Sequence, residues 1–146
     1  MDDRKRERLV LVIDDQPEHL QIIEQVLTNG TVPCHIVSIA DSHRAIDFLR
    51  HKGNYLQVPR PDLILLDPQL ADGKGQAVLS EVKTDVSLRR IPTIVLSPVA
   101  DQTNVISNYQ LQCNSYVIKP QDLTSLTDVI QVIESFWLNI VTLPLE

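Results

Sequence analysis

Five short aliphatic runs alternate along the chain with stretches whose apolar residues recur every three or four positions. Runs this short suit buried strands and not buried helices, and the longer recurrence between them reads as amphipathic helix. Such alternation predicts βα units feeding a parallel sheet covered by helices on both faces. The first run, Leu9 to Ile13, ends at Asp14 and Asp15, and Pro17 follows where the first turn of a helix tolerates a missing N–H. Leu20, Ile23 and Leu27 give that helix its apolar stripe, and Gly30 is placed to end it. A second strand is predicted near His35 to Ile39, with Asp41 or Ser42 capping a helix that buries Ala45, Ile46 and Leu49. Gly53, Pro59 and Pro61 predict a long surface connection, with the character of an insertion, from about Lys52 to Pro61. Leu63 to Leu66 is the most uniformly aliphatic run, as a central strand should be, and it delivers Asp67 to its C-terminal end. Ala77, Val78 and Val82 mark a third helix, and Thr93 to Leu96 a fourth strand ending at Ser97. Val105, Ile106 and Tyr109 mark a fourth helix after Asp101, and Tyr116 to Ile118 a short fifth strand ending at Lys119.

Composition narrows the class of protein. The 146 residues suffice for one core, and 43% hydrophobic with 22% charged residues is the balance of a globular domain. No apolar run approaches the roughly 20 residues that span a bilayer, and the charged start, Met1 to Arg8, leads into too short an apolar run for a signal peptide. A cytoplasmic protein without membrane contact is expected. A net charge of −6 works against a nucleic-acid role, since Arg4, Lys5, Arg6 and Arg8 are interleaved with Asp2, Asp3 and Glu7. Cys34 and Cys113 have no metal-ligand spacing and read as free thiols, and the four histidines read as surface residues. The expected division is a flexible lead-in over residues 1–8, one domain over 9–135 and an apolar tail over 136–146.

The polar residues of interest all fall at strand ends. In an open α/β sheet, ligands bind beyond the carboxyl ends of the strands, so Asp14, Asp15, Asp67, Ser97 and Lys119 should share one crevice if strands one, three, four and five are neighbours. Three carboxylates packed together repel unless a cation intervenes, and an oxygen-only donor set suits Mg²⁺. Unit charges about 4 Å apart interact by about 4 kcal/mol at an effective dielectric of 20, so the ion and the Lys119 ammonium are large contributions. A carboxylate is also a competent nucleophile toward phosphorus, and Asp67 is best placed for that. Asp15, Asp67 and the Gln69 backbone carbonyl would hold the metal directly, with Asp14 acting through water. Lys119 would pair with a phosphoryl oxygen, and the Ser97 hydroxyl could reorient to donate to it. Taken singly, each acidic residue could equally be a helix cap or a turn former. Their conjunction is much rarer.

With these residues in view, the chain resembles the response regulator receiver domain of bacterial two-component systems over Leu9 to Glu134. Asp67 and Ser97 are 30 positions apart and Ser97 and Lys119 are 22 apart, the intervals that family shows between phosphoacceptor, switch hydroxyl and lysine. The resemblance implies a flavodoxin-like (CheY-like) doubly wound parallel sheet of five strands, in the order 2-1-3-4-5, with five helices. It matches Asp14 and Asp15 to the acidic pair, Tyr116 to the switch aromatic and Asp72-Gly73 to the turn after the phosphoacceptor. It implies Mg²⁺-dependent transfer from a phosphohistidine on a sensor histidine kinase, by a signalling domain and not an enzyme, and a cis peptide at Lys119-Pro120. Three features depart from the family: the 52-position interval from Asp15 to Asp67, Pro68 beside the acceptor, and Pro98 after Ser97. The two prolines should stiffen the site and slow its switching.

Leu126, Val129, Ile130 and Ile133 supply one inward stripe of a last helix, and Val132, Phe136, Trp137, Leu138, Ile140 and Val141 exceed what one face can bury. The surplus predicts an interface through Phe136, Trp137 and Ile140. Phe136-Trp137-Leu138, Thr142-Leu143-Pro144 and Arg89-Arg90-Ile91-Pro92 resemble the single-domain regulators associated with phytochromes. That likeness implies a homodimer through the fourth and fifth helices, the fifth strand and the tail, and a phytochrome-type kinase. The competing expectation is a phosphorylation-independent receiver-like interaction module. An aspartyl phosphatase fits less well, because Ile13-Asp14-Asp15-Gln16 is not a D-x-D nucleophile motif. A flavin protein fits less well too, for want of a phosphate-cradling loop.

Overall fold

A computed structural model describes residues 7–144. Five parallel strands, β1 (Arg8–Ile13), β2 (Cys34–Ile39), β3 (Leu63–Leu66), β4 (Thr93–Ser97) and β5 (Ser115–Ile118), form one sheet in the order β2-β1-β3-β4-β5. The five helices between and after them are α1 (Pro17–Thr28), α2 (Ser42–Arg50), α3 (Gly75–Thr84), α4 (Gln102–Gln110) and α5 (Leu123–Ile133). This is the doubly wound architecture that the alternation of runs predicts.

Every residue of β1 and β3 is buried, because helices cover the sheet on both sides. Leu9, Leu11 and Ile13 join one apolar cluster with α2 and α3, and Val10 and Val12 join the other with α1 and α5. Each buried aliphatic side chain contributes roughly 1.5–3 kcal/mol relative to exposure. Asp41, not Ser42, caps α2, its carboxylate accepting the Arg44 N–H at 2.8 Å. The Lys52 to Pro61 connection contains one 3₁₀ turn, Gly53–Tyr55, and the Tyr55 ring meets Phe48 edge-on at 5.3 Å.

Four details differ from expectation. Arg8 opens β1 and is buried, while residues 1–6 of the expected lead-in lie outside the described residues. α1 ends at Thr28 with Asn29 as its cap; Gly30 instead leaves room for the Glu134 side chain, which a Cβ there would strike. In α3, Leu79 is buried where Ala77 is exposed. In α4 the apolar residues face outward: Ile106 and Tyr109 are exposed, Val105 is half-buried, and Asn108 is the buried residue. α4 packs beside β5, the edge strand of the sheet.

The tail divides. A π-helical segment, Glu134–Ile140, continues α5, and Leu138 and Leu143 are buried in the cluster beneath α1 and α5. Of the three residues expected at an interface, Trp137 packs half-buried against that cluster, whereas Phe136 and Ile140 stay exposed. Asn139 fastens the segment, accepting from the Thr31 hydroxyl at 2.7 Å and donating to the Glu134 carboxylate at 2.8 Å. Leu138→Ala should therefore destabilise the domain by about 2–5 kcal/mol, and Ile140→Ala by less than about 0.5 kcal/mol. Urea unfolding of the two variants separates the cases, and equal effects would show that the tail is not part of the core.

Candidate functional site

Parallel pairing brings the C-terminal ends of β1, β3, β4 and β5 to one rim of the sheet, with Ile13 opposite Leu66 and Ser97 opposite Ile118. The polar residues that follow the strands therefore emerge side by side. Asp14, Asp67, Ser97 and Lys119 are all buried. The Lys119 ammonium donates to Asp14 Oδ2 at 2.5 Å and to Asp67 Oδ2 at 2.7 Å, with its side chain 1% exposed. Breaking such a buried contact by removing one partner typically costs about 3–5 kcal/mol, because an uncompensated charge remains. Burial pushes the Asp14 carboxyl above its ordinary range, and the hydrogen bond and charge of Lys119 oppose that rise. The remaining oxygens accept from local backbone, Asp14 Oδ1 from the Gln16 N–H at 2.9 Å and Asp67 Oδ1 from the Gln69 N–H at 2.8 Å.

Asp15 is half-exposed, and its Oδ2 accepts the Ala71 N–H at 2.7 Å across the rim. Among the described residues no group of three His, Cys, Asp or Glu is arranged to hold a metal ion. The cause lies in the contacts: the Lys119 ammonium fills the gap between two carboxylates, and the third is turned toward Ala71. The donor set itself, carboxylates without sulfur or imidazole, suits a hard divalent cation.

Ser97 is fully buried, and its Oγ accepts the Val99 N–H at 3.2 Å. The Tyr116 hydroxyl donates to the Val99 carbonyl at 2.6 Å, so both residues grip the loop after β4. The expected cis peptide at Lys119-Pro120 is absent: the described residues contain none. The lysine is turned inward by strand pairing, since its N–H donates to the Ser97 carbonyl at 2.8 Å, and the trans bond keeps its ordinary preference of about 0.5–1 kcal/mol.

Two supports of the loop after Asp67 escape sequence reasoning. Asp72 Oδ2 accepts both the Ser42 N–H at 2.8 Å and the Ser42 hydroxyl at 2.7 Å, which ties the loop to the start of α2. The Ser42 N–H, the Lys74 N–H and the Ser42 hydroxyl together hold the Asp72 carboxyl below its ordinary range. At the other end of α2, Arg50 reaches Glu81 and, at 2.6 Å, Asp85, so the helix is fastened to α3 twice. No spacing marks the 30-residue interval from Ser42 to Asp72 as a contact. The second support is Gly75, where an added Cβ would overlap the Pro68 backbone.

These features define a receiver domain, and the comparisons agree. The family model for the response regulator receiver domain matches residues 10–131, and the chain belongs to that family. Response regulator Rcp1 of Synechocystis sp. is 36% identical over 143 residues, 98% of this chain and 97% of that protein. The crystal structure of the phosphorylated cyanobacterial phytochrome response regulator RcpA is 36% identical, with a TM-score of 0.92 over 96% of this chain and 100% of that one. The Mn²⁺-bound form of Rcp1 is 37% identical, with a TM-score of 0.91 over 94% of this chain and 99% of that one. The chain is thus similar to phytochrome-associated response regulators, and its family is one of signalling domains. Among the described residues no helix is long and apolar enough to cross a membrane.

Gly75→Ala should destabilise the protein by about 1–3 kcal/mol, since the Pro68 backbone has to give way. It should also broaden the amide resonances of residues 67–71 in solution NMR. An unperturbed loop with full stability would contradict the close approach.

Proposed function

We propose that the chain is a cytoplasmic single-domain response regulator that accepts a phosphoryl group on Asp67, with Mg²⁺, from a sensor histidine kinase of the phytochrome type. The observation that carries the reading is the Lys119 ammonium held between the Asp14 and Asp67 carboxylates in a buried cluster at the strand ends. Asp67 Oδ2 is the nucleophile toward phosphorus, the bond to the donor nitrogen breaks, and the product is an acyl phosphate. Lys119 can follow the charge from the carboxylate to a phosphoryl oxygen. Asp15, Asp67 and the Gln69 carbonyl would hold the ion directly and Asp14 through water, and a bound ion would supply charge neutralisation for the transferring oxygens. Ser97 then exchanges the Val99 N–H for a phosphoryl oxygen, and the loop gripped by Tyr116 has to re-form. The signal is a changed surface on α4, β5 and α5, with no role for nucleic acid. The similarity to a phosphorylated cyanobacterial phytochrome response regulator and to an Mn²⁺-bound response regulator supports the kinase class and the cation.

Incubated with a phosphorylated phytochrome-type kinase and Mg²⁺, the wild type should take up label, Asp67→Asn should take up none, and Lys119→Ala should react about a hundredfold more slowly. Label retained on Asp67→Asn would place the acceptor elsewhere. A phosphorylation-independent scaffold would give no Mg²⁺-dependent response to beryllofluoride.

The exposed apolar residues suit a second copy of the chain. Ile106, Tyr109, Ile118 and Leu123 lie on the face of α4, β5 and α5, and Val132, Phe136 and Ile140 recur at four-residue spacing along the last helical turns. Large apolar residues left exposed in such number support an interface. Sedimentation should find a dimer at micromolar concentration, and charging the outer stripe with Phe136→Asp and Ile140→Asp should yield monomers that remain folded. A wild type that is monomeric at high micromolar concentration would remove the dimer.

A further inference from the structure

β5 is an edge strand, so the main-chain groups on its outer side have no strand to pair with. The Tyr116 N–H is one of these groups. Its acceptor is the Tyr109 hydroxyl on α4, at 3.1 Å. The same Tyr116 donates its own hydroxyl to the Val99 carbonyl at 2.6 Å, and the Val99 N–H donates to Ser97 Oγ at 3.2 Å. A continuous run of hydrogen bonds therefore leads from the hydroxyl at the end of β4, through the loop and β5, to α4.

α4 is otherwise lightly held. Its buried residue is Asn108, which donates to the Asn104 carbonyl at 2.8 Å but leaves its Oδ1 buried without a hydrogen-bond partner. A stranded buried acceptor is costly, and a helix that turns a polar residue inward gains little from apolar burial. From α3, Gln76 donates to the Ser107 hydroxyl at 3.0 Å. Against so few ties, the bond at Tyr109 is a substantial share of what sets the position of the helix.

We propose that Tyr109 is a positioning residue of the switch: its hydroxyl holds α4 against the open edge of β5 in the unphosphorylated chain and releases it when Ser97 turns to a phosphoryl group. The proposal rests on the reading of Asp67 as phosphoacceptor. Once Ser97 Oγ donates to the phosphoryl group and leaves its present bond, the Val99 N–H loses its acceptor. The Val99 carbonyl then shifts away from the Tyr116 hydroxyl, and the Tyr116 ring moves with it. The Tyr116 N–H and the Tyr109 hydroxyl separate, freeing α4. A bond made in one state and not in the other biases the equilibrium by its own strength, so removing it favours the second state.

Tyr109→Phe deletes the oxygen and keeps the ring, at a residue 47% exposed. With Mg²⁺ present, the variant should bind beryllofluoride about two- to tenfold more tightly than the wild type, the worth of one hydrogen bond. Without beryllofluoride, its Tyr116 amide should exchange faster by a similar factor. Loss of a merely structural contact would lower stability and leave the affinity unchanged or weaker, and that result, with normal binding by the wild type, overturns the role of Tyr109 alone. Failure of the wild type to bind beryllofluoride would overturn the phosphoacceptor reading, and the role of Tyr109 with it.

Discussion

The Lys119 ammonium, lodged between the carboxylates of Asp14 and Asp67, is the contact on which the rest of the molecule depends. An ammonium and two carboxylates taken out of water are tolerated only when each lies within hydrogen-bonding reach of an opposite charge. Three segments far apart in sequence have to end at one place for that to happen, so the charge balance constrains β1, β3 and β5 together. The helices then follow from the strands. Right-handed crossovers between parallel neighbours leave each helix packed on one face or the other, which accounts for the two apolar clusters on either side of the sheet.

Most of this was legible before any coordinates, because the features concerned are local. An aliphatic run of four residues, such as Leu63 to Leu66, has few alternatives to a buried strand, and a carboxylate just beyond it has to face a rim. Other features depend on relationships that no run of residues expresses. The spacing of Val105, Ile106 and Tyr109 identifies a helix but carries no sign of which face meets the protein. That is decided by packing beside the edge strand β5, and here Ile106 and Tyr109 are turned to solvent. The position of Asp15 after β1 could be read from the sequence, but its bond to the Ala71 N–H could not, because that depends on a loop held by Ser42 and Gly75. The peptide before Pro120 was expected in the rarer isomer by family likeness, and strand pairing at Lys119 achieves the same inward reach without it.

The tail shows how one apolar segment can answer to two demands. Leu138 and Leu143 belong to the fold, while Phe136 and Ile140 are left facing away from it. The π-helical widening of Glu134–Ile140 and the clasp of Asn139 on Thr31 and Glu134 settle which residues turn which way. Hydrophobicity alone predicts that all of them need cover. It does not say whether that cover is intramolecular, and Trp137, half-buried beside an exposed phenylalanine, falls on the boundary.

The complete burial of β3 has a less obvious consequence. A strand that alternates apolar and polar residues resists slipping, because a shift of one residue would put its greasy side in water. Leu63–Leu66 has no such safeguard: moved by one place, it would still offer an aliphatic side chain to either layer. What separates the native alignment from its neighbours is the polar residue at each end: Asp62, whose carboxylate accepts the Leu9 N–H at 2.9 Å, and Asp67, which in another frame would lose Lys119. The groups suited to signalling thus also act as the pin that sets the strand in its frame, and a chain stripped of them for the sake of a quieter core would lose part of the information that tells the sheet how to assemble.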